Sequence, residues 1–274
     1  MDALYNAAKP RVVAIGGPTA TGKTALSVAL AKRFSGEIIS ADSMQIYQGL
    51  DVGTAKVTPE EMQGVPHHLV GFLAPEQAFS VADFTTLAGK TITQLTARGK
   101  LPLVVGGTGL YITSLLNGIG FTPEKVDPAI RQELQARLQA EGSQALYAEL
   151  AAVDPGYAAK VHPNNTPRVI RALELYRATG RKMSAEREAA RPAEKPYRSL
   201  CLCLTCRDRT LLYQRIDTRC DRMMQSGILE EAKLVYDHRD TYRTAAQAIG
   251  YKEFFPYFEG TADPVSYTHL RAHE

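Results

Sequence analysis

No stretch of the chain approaches the ~18 consecutive apolar residues of a membrane-crossing helix, so none is expected. The start, Met1-Asp2-Ala3-Leu4, lacks both a basic segment and a long apolar one, which argues against a secretory signal and for a cytoplasmic protein. Cysteine is scarce: there are four, three of them at Cys201, Cys203 and Cys206, and this excludes a disulfide framework of the secreted type. Cys201 and Cys203 fall on one face of a β-prone run and are read as small core hydrophobes, since no further Cys or His nearby completes a zinc set. Excess charge is also missing. At +3 the net charge does not announce a nucleic-acid partner, so any RNA surface must come from local clustering. What remains is the composition of a globular protein, 45% hydrophobic and 22% charged, in a chain of 274 residues able to bury a sizeable core.

The most informative stretch is Gly17-Pro18-Thr19-Ala20-Thr21-Gly22-Lys23-Thr24, between the apolar run Val12-Val13-Ala14-Ile15 and a helix-like segment from Ala25 to Phe34. It fits G-x-x-x-x-G-K-[ST] in the strand-then-helix setting that gives the pattern meaning. Backbone N–H groups and the positive end of a helix dipole converge there. Lys23 supplies a cation, and the Thr24 hydroxyl is placed to join a Mg²⁺ shell. A nucleoside triphosphate is the default cargo, but any pyrophosphate satisfies the same physics.

Leu26, Leu30 and Phe34 recur at helical spacing, Gly36 closes that helix, and Glu37-Ile38-Ile39-Ser40 reads as the next strand, a βαβ beginning. The strand runs into Ala41-Asp42-Ser43-Met44-Gln45-Ile46-Tyr47, which puts Asp42 beyond a strand's carboxyl end, where open α/β sheets bind ligands. Asp42 suits an Asx turn as well as a functional role. A loop from Gly49 to Pro66 holds one short helix beginning near Pro59, and His67 and His68, without an accompanying carboxylate or Cys cluster, read as loop or supporting histidines rather than metal ligands. Ser80-Val81-Ala82-Asp83 caps a helix reaching about Arg98. The strand Leu101-Pro102-Leu103-Val104-Val105 ends in Gly106-Gly107-Thr108-Gly109-Leu110-Tyr111, where a P-loop nucleoside triphosphatase would carry a Mg²⁺-holding acid. Two glycines and the Thr108 hydroxyl stand there instead, suited to a substrate or a leaving pyrophosphate, or to capping the next helix.

From about Phe121 to Pro196 the sequence becomes Ala-, Glu-, Gln- and Arg-rich with repeated prolines, an inserted helical subdomain. Arg168 and Arg171 share a helix face there, with Arg177, Arg181, Lys182, Arg187 and Arg191 downstream; alone, such a run is usually a solvated face. Arg198 to Thr205 returns to the sheet. A helix from about Arg209 to Ser226 then buries Leu212, Ile216, Cys220 and Met223, and carries Arg215, Arg219 and Arg222 as a basic stripe that either clamps pyrophosphate or pairs with Asp217 and Asp221. The expected architecture is α/β: a P-loop NTPase-like parallel sheet flanked by helices over 1–120 and 197–264, an inserted all-helical subdomain over 121–196, and a tail over 265–274.

Taken together these segments resemble one family, the tRNA dimethylallyltransferases, over nearly the whole chain from Val12 to about Glu259. The resemblance rests on Gly17 to Thr24, Asp42 to Tyr47 with Gly53-Thr54-Ala55-Lys56, Pro66-His67-His68-Leu69 and Gly106 to Tyr111. It continues through Arg168-Val169-Ile170-Arg171-Ala172-Leu173-Glu174, Arg219-Cys220-Asp221-Arg222-Met223 and Gln247-Ala248-Ile249-Gly250-Tyr251-Lys252. It implies that the loop from Gly17 to Thr24 holds the pyrophosphate of dimethylallyl diphosphate with Mg²⁺, Thr24 being the metal residue. The exocyclic amine of a flipped-out adenine, just 3′ of the tRNA anticodon, is then alkylated. Asp42 takes the general-base role, and Thr108 and Arg219 hold the pyrophosphate. By the same resemblance Asp42, Ser43, Met44, Gln45 and Thr108 meet the tRNA anticodon stem-loop, as do Pro167, Arg168, Val169, Ile170 and Arg171 and, further on, Gln247, Gly250 and Lys252, with Arg131 a lesser member of that set. A monomer without membrane contact is expected.

One departure stands out. The family continues with a Lys-Arg-Gln-Leu-Thr-Trp-like helix, whereas this chain has no Trp, and Val265 to Glu274 is read as a foreign tail on a truncated frame. Loss of a closing helix would expose apolar surface and weaken stability and tRNA binding. Two other readings are carried: a P-loop small-molecule kinase in which Asp42 deprotonates a hydroxyl, and a non-catalytic RNA-binding relative.

Overall fold

Along Arg11–Gly16 (β1) successive side chains face opposite sides, and both faces are apolar, as a strand covered by helices on both sides requires. The computed structural model describes residues 9–121, 127–190, 192 and 194–261; the tail expected over 265–274 lies outside them. β1 pairs in parallel with Leu101–Gly106 (β4) and Arg198–Cys203 (β5), and Gly36–Ser40 (β2) pairs with β4 and with the two-residue His67–His68 (β3). The order β3-β2-β4-β1-β5 makes a five-stranded parallel sheet whose middle strand, β4, reads as an unbroken apolar run.

One face of this sheet, carrying Val12, Ala14, Ile39 and Val104, is covered by Phe84, Ala88, Ile92 and Leu95 and by Tyr111 and Leu115. The other face, carrying Ile15, Ile38, Leu103 and Val105, packs on Val28 and Ala31. The elements involved are α1 (Lys23–Arg33), the short α2 (Pro59–Met62), α3 (Val81–Ala97) and α4 (Gly109–Leu116). Each fully buried aliphatic side chain contributes about 1.5–3 kcal/mol. α3 starts in a full capping box, with Ser80 Oγ accepting the Asp83 N–H and Asp83 accepting the Ser80 N–H.

The chain divides into two units, Met1–Leu116 with Lys195–Glu274, and Asn117–Glu194. The second holds α5 (Pro128–Glu141), α6 (Ser143–Val153), α7 (Pro155–Ala158), α8 (Thr166–Thr179) and α9 (Met183–Ala189) around Leu134, Leu146, Leu150, Tyr157 and Leu173. The first unit ends in α10 (Arg209–Gln225), α11 (Ile228–Asp237), two single 3₁₀ turns and α12 (Phe255–Phe258). Ile228, Ala232 and Val235 of α11 pack with Tyr242, Tyr251 and Phe254 onto Ile46, Tyr47 and Leu50, so the C-terminal helices brace the segment after β2. Among the described residues no helix is long and apolar enough to cross a membrane.

Several expectations change. Phe34 does not complete a buried stripe: it is 56% exposed, and Ser27, Val28 and Ala31 form the inner face of α1. Gly36 opens β2 rather than closing α1, because a Cβ there would lie 2.7 Å from the Leu101 carbonyl oxygen and 2.3 Å from Leu103 Cδ1. His67 and His68 form an edge strand, not a loop. Cys201 and Cys203 are exposed instead of buried, since β5 is the edge strand beside β1 and burial there is slight. None of the four cysteines is in a disulfide.

Candidate active site

Residues of β2, β3 and β4 and the start of α1 meet at one cavity, lined by Lys23, Thr24, Asp42, Gln45 and His67 among others. The loop from Gly17 to Thr24 reaches it through two left-handed turns, Ala20 (φ 61°) and Gly22 (φ 88°), the second serving as the N-cap of α1. No side chain caps α1, so its first-turn N–H groups lack intrahelical acceptors, as an anion site requires. The Lys23 ammonium donates to the Gly17 and Pro18 carbonyls at 2.8 and 2.7 Å, and the Thr21 hydroxyl donates to the Pro18 carbonyl. Gly17 is required by close approach: a Cβ would lie 2.5 Å from the Leu204 carbonyl oxygen.

Beyond β2, Asp42 closes an Asx turn. Its Oδ1 accepts the Met44 N–H at 2.9 Å and the Gln45 N–H at 3.3 Å. The turn reading and the functional reading therefore coexist, because Oδ2 receives no hydrogen bond among the described residues. The Thr108 hydroxyl is occupied by Ser43: it accepts the Ser43 N–H at 3.0 Å and donates to Ser43 Oγ at 3.3 Å, and it makes no side-chain cap on α4. Gly106 lines the cavity and also lets the backbones approach closely, since a Cβ there would sit 2.2 Å from the Ala41 carbonyl oxygen, whereas a Cβ on Gly107 would meet nothing within 4 Å.

The histidines are placed by chemistry that the sequence pattern did not reveal. Glu37, buried on β2, accepts from His68 Nε2 at 2.7 Å and from Arg98 Nη2 at 3.1 Å. Burial pushes the Glu37 carboxyl up, but the His68 hydrogen bond and the Arg98 charge outweigh it and hold the group below its ordinary value. His67, with Nδ1 2.9 Å from the Val65 carbonyl, is held below its ordinary value mainly by burial, so the ring facing the cavity is neutral at pH 7. Tyr111 is pushed up to about 12 by burial and by the nearby Tyr47 and Asp42. Among the described residues no cluster of three His, Cys, Asp or Glu could hold a metal ion by itself.

The remaining predicted residues lie elsewhere. Arg219 sits on α10 with its Nε buried and without a hydrogen-bond partner, and it is not among the side chains lining the strand-end cavity. Gln247 and Lys252 are exposed on the two 3₁₀ turns, and the Gly250 N–H donates to Glu253 Oε2 at 2.9 Å. In the helical unit a groove is lined by Arg131, Gln135, Thr166, Pro167 and Ile170, so Arg131 and the start of α8 do come together. Arg131 is held bidentately by the buried Glu174, at 2.8 and 3.0 Å, and Arg171 donates to the same carboxylate at 2.9 Å. Val169 and Ile170, 1% and 7% exposed, face the core of this unit; Arg168 and Arg171 supply the outward face. Arg177 pairs with Glu133 and Glu149, and Arg181 with Glu186, which neutralises much of the basic run; Arg191 lies outside the described residues.

The chain matches an IPP transferase family model over residues 45–272 and an isopentenyl transferase model over residues 10–70. It is 51% identical over 255 residues to the tRNA dimethylallyltransferase of Bacillus subtilis, covering 93% of this chain and 81% of the relative. The enzyme of the same name from Halalkalibacterium halodurans is 47% identical over 252 residues, 92% of this chain and 80% of that one. Among solved structures, a full-length tRNA isopentenylpyrophosphate transferase from Bacillus halodurans superposes with a TM-score of 0.67 at 44% identity, covering 97% of this chain and 82% of that one. A eukaryotic dimethylallyltransferase caught acting on tRNA gives a TM-score of 0.76 at 31% identity, over 96% of this chain and 66% of the other. With a parallel P-loop sheet, an acid-free end to β4 and half its residues shared with such enzymes, this chain belongs to the IPP transferase family, that of the tRNA dimethylallyltransferases.

Proposed function

We propose that this protein transfers a dimethylallyl group from dimethylallyl diphosphate to the exocyclic amine of the adenosine 3′-adjacent to the anticodon of tRNA, releasing pyrophosphate. The observation that carries the reading is the single cavity shared by the loop residues Lys23 and Thr24 with Asp42 and Gln45. A diphosphate grip and a carboxylate with one open oxygen face the same space. The kinase alternative gives way because relatives sharing about half of the sequence carry the transferase name.

In this reading the loop from Gly17 to Thr24 holds the diphosphate through its N–H groups and Lys23, and Arg219, which is outside the lining of the strand-end cavity, is given a share in that grip on the family resemblance alone. The amine nitrogen forms a bond to the allylic carbon while the carbon–oxygen bond to diphosphate breaks, and the electron pair leaves with pyrophosphate. The proton lost from the amine passes to Asp42, whose Oδ1 is anchored by the Asx turn so that the carboxylate keeps its orientation. Thr108 acts through Ser43, fixing the strand end next to Asp42. The adenine must leave its stack to reach a strand-end cavity. RNA backbone contacts come from Ser43, Met44, Gln247, Gly250 and Lys252 and, in the helical unit, from Arg131 and the exposed side of Pro167 to Arg171.

The donor set fits Mg²⁺: Thr24 offers a hydroxyl with no hydrogen bond among the described residues, and the lack of a carboxylate cluster suits an ion that takes most of its ligands from phosphate and water. Bound there, Mg²⁺ would neutralise charge on the leaving group. The protein is taken to work in the cytoplasm as a monomer. The test is incubation with Mg²⁺, labelled dimethylallyl diphosphate and unmodified tRNA. Label confined to that adenosine is expected, and unlabelled tRNA would overturn the reading.

A further inference from the structure

Glu231 of α11 does not line the strand-end cavity, yet its carboxylate ends a chain of contacts that runs into it. Oε2 accepts the Asp51 and Val52 N–H groups at 2.7 and 2.9 Å, and Oε1 accepts the Gly53 N–H and the Tyr251 hydroxyl, both at 2.7 Å. Four donors converge on two oxygens, an arrangement that an acceptor-only carboxylate satisfies and an amide does not. The fit is close: a Cβ on Gly53 would lie 2.5 Å from Tyr251 Cε1. Tyr251 is itself fully buried, and burial with the Glu231 charge beside it pushes its phenol well up, so it remains a donor.

The backbone fixed in this way continues at once into Thr54 and Ala55, whose carbonyl oxygens both accept from Gln45 Nε2, at 3.3 and 3.0 Å. Two acceptors on one side decide which end of the Gln45 amide is the amine. Its Oε1 makes no hydrogen bond among the described residues, and Gln45 lines the cavity together with Asp42. With its donors engaged, the amide has only an acceptor to present.

We propose that Glu231 is a positioning residue. By holding Asp51 to Gly53 it keeps the Thr54 and Ala55 carbonyls on the Gln45 amine, so that Gln45 Oε1 joins Asp42 as an acceptor and the cavity favours a base offering an amino group over one offering a carbonyl. The inference rests on Asp42 and Gln45 meeting the base.

A double-mutant cycle on the full chain tests it, using Glu231→Gln, Gln45→Ala and both together. A misplacement of about 1 Å costs roughly 100-fold in rate, so Glu231→Gln should lower kcat by about 10–100-fold while KM for dimethylallyl diphosphate stays within about 2-fold. In the Gln45→Ala background the same change should cost less than about 3-fold. Equal losses in both backgrounds, or no loss in the native one, overturn the proposal. Tyr251→Phe removes a single donor and should move kcat in the same direction by less. Hydrogen exchange of the ¹⁵N-labelled Gln45 side-chain amide reads the positioning without turnover: protection should fall roughly tenfold or more in Glu231→Gln, and unchanged protection would refute it. If the native chain transfers no prenyl group, the functional reading fails while this measurement still decides the role of Glu231.

Discussion

Ser43 and Thr108 tie the ends of β2 and β4 together, with the Ser43 N–H donating to Thr108 Oγ1 at 3.0 Å and the Thr108 hydroxyl donating to Ser43 Oγ at 3.3 Å. The Thr108 N–H adds a third link to the Ala41 carbonyl at 3.1 Å. Asp42 lies between these anchors, so its place is set by hydrogen bonds on both sides. Thr108→Val keeps the shape and deletes the hydroxyl; it should cost about 100-fold in kcat, by analogy with displaced catalytic groups, while Thr108→Ser stays near the native rate. Steady-state kinetics on tRNA decide it, and a fully active Val variant would remove Thr108 from the positioning of Asp42.

Asp42→Asn separates turn from base. The amide oxygen still accepts the Met44 and Gln45 N–H groups, but no carboxylate is left to take a proton. Transfer should fall by about 10²–10⁴-fold with tRNA affinity little changed. An Asn variant that turns over normally would make Asp42 a structural residue only.

Thr24→Ala should raise the Mg²⁺ concentration for half-maximal transfer by roughly tenfold or more, and Thr24→Ser should restore it. A Mg²⁺ titration that coincides for Ala and native chains would show that the hydroxyl holds no metal.

In the helical unit Glu174 is the shared acceptor for Arg131 and Arg171. Burial pushes its carboxyl up, and the two arginines more than reverse this, leaving it below its ordinary value of 4.5. Glu174→Gln loses charge-assisted bonds and should destabilise by about 1–3 kcal/mol. Unfolding followed by circular dichroism would register this as a lower denaturation midpoint, and an unchanged midpoint would show that the pairs are mere surface ornaments of α5 and α8.

Acid sensitivity should follow from Glu37. Its folded pKa lies below the ordinary 4.5, so the unfolded chain binds the proton more readily. The stability it contributes is complete above 4.5 and is lost as pH falls through the folded value. Urea midpoints measured from pH 7 down to pH 3 should decline less steeply for Glu37→Gln than for the native chain. Parallel curves would assign the acid limb to other carboxylates.

Much of the sheet was legible because parallel strands buried on both faces are apolar without interruption, as in Leu103 to Val105, and because caps such as Ser80 with Asp83 have a fixed spacing. The P-loop was legible because its glycines are demanded by backbone conformation. The exposure of Cys201 and Cys203 is not legible, since alternation reports that a strand exists and says nothing of whether it lies at an edge. The roles of Glu231, Glu37 and Glu174 are hidden in the sequence for a common reason. Each carboxylate takes at least one of its partners from far along the chain, as Glu231 does with Asp51, Glu37 with Arg98 and Glu174 with Arg131. The doubling of Asp42 as turn former and candidate base shows a site residue whose two roles use different oxygens, which no spacing rule expresses.

The register Arg11 to Arg198 and Gly16 to Cys203 joins the first strand to one encoded far downstream. Loop closure over that distance is slow, whereas the helices between Pro128 and Ala189 meet mainly near neighbours. The helical unit precedes β5 in the chain, so β1 gains its second neighbour only from sequence beyond that unit. The loop from Gly17 to Thr24 follows that strand and lies against Leu204 just beyond β5, so the surroundings of the candidate phosphate site depend on sequence nearly 190 residues downstream, about the separation of Gly17 from Leu204.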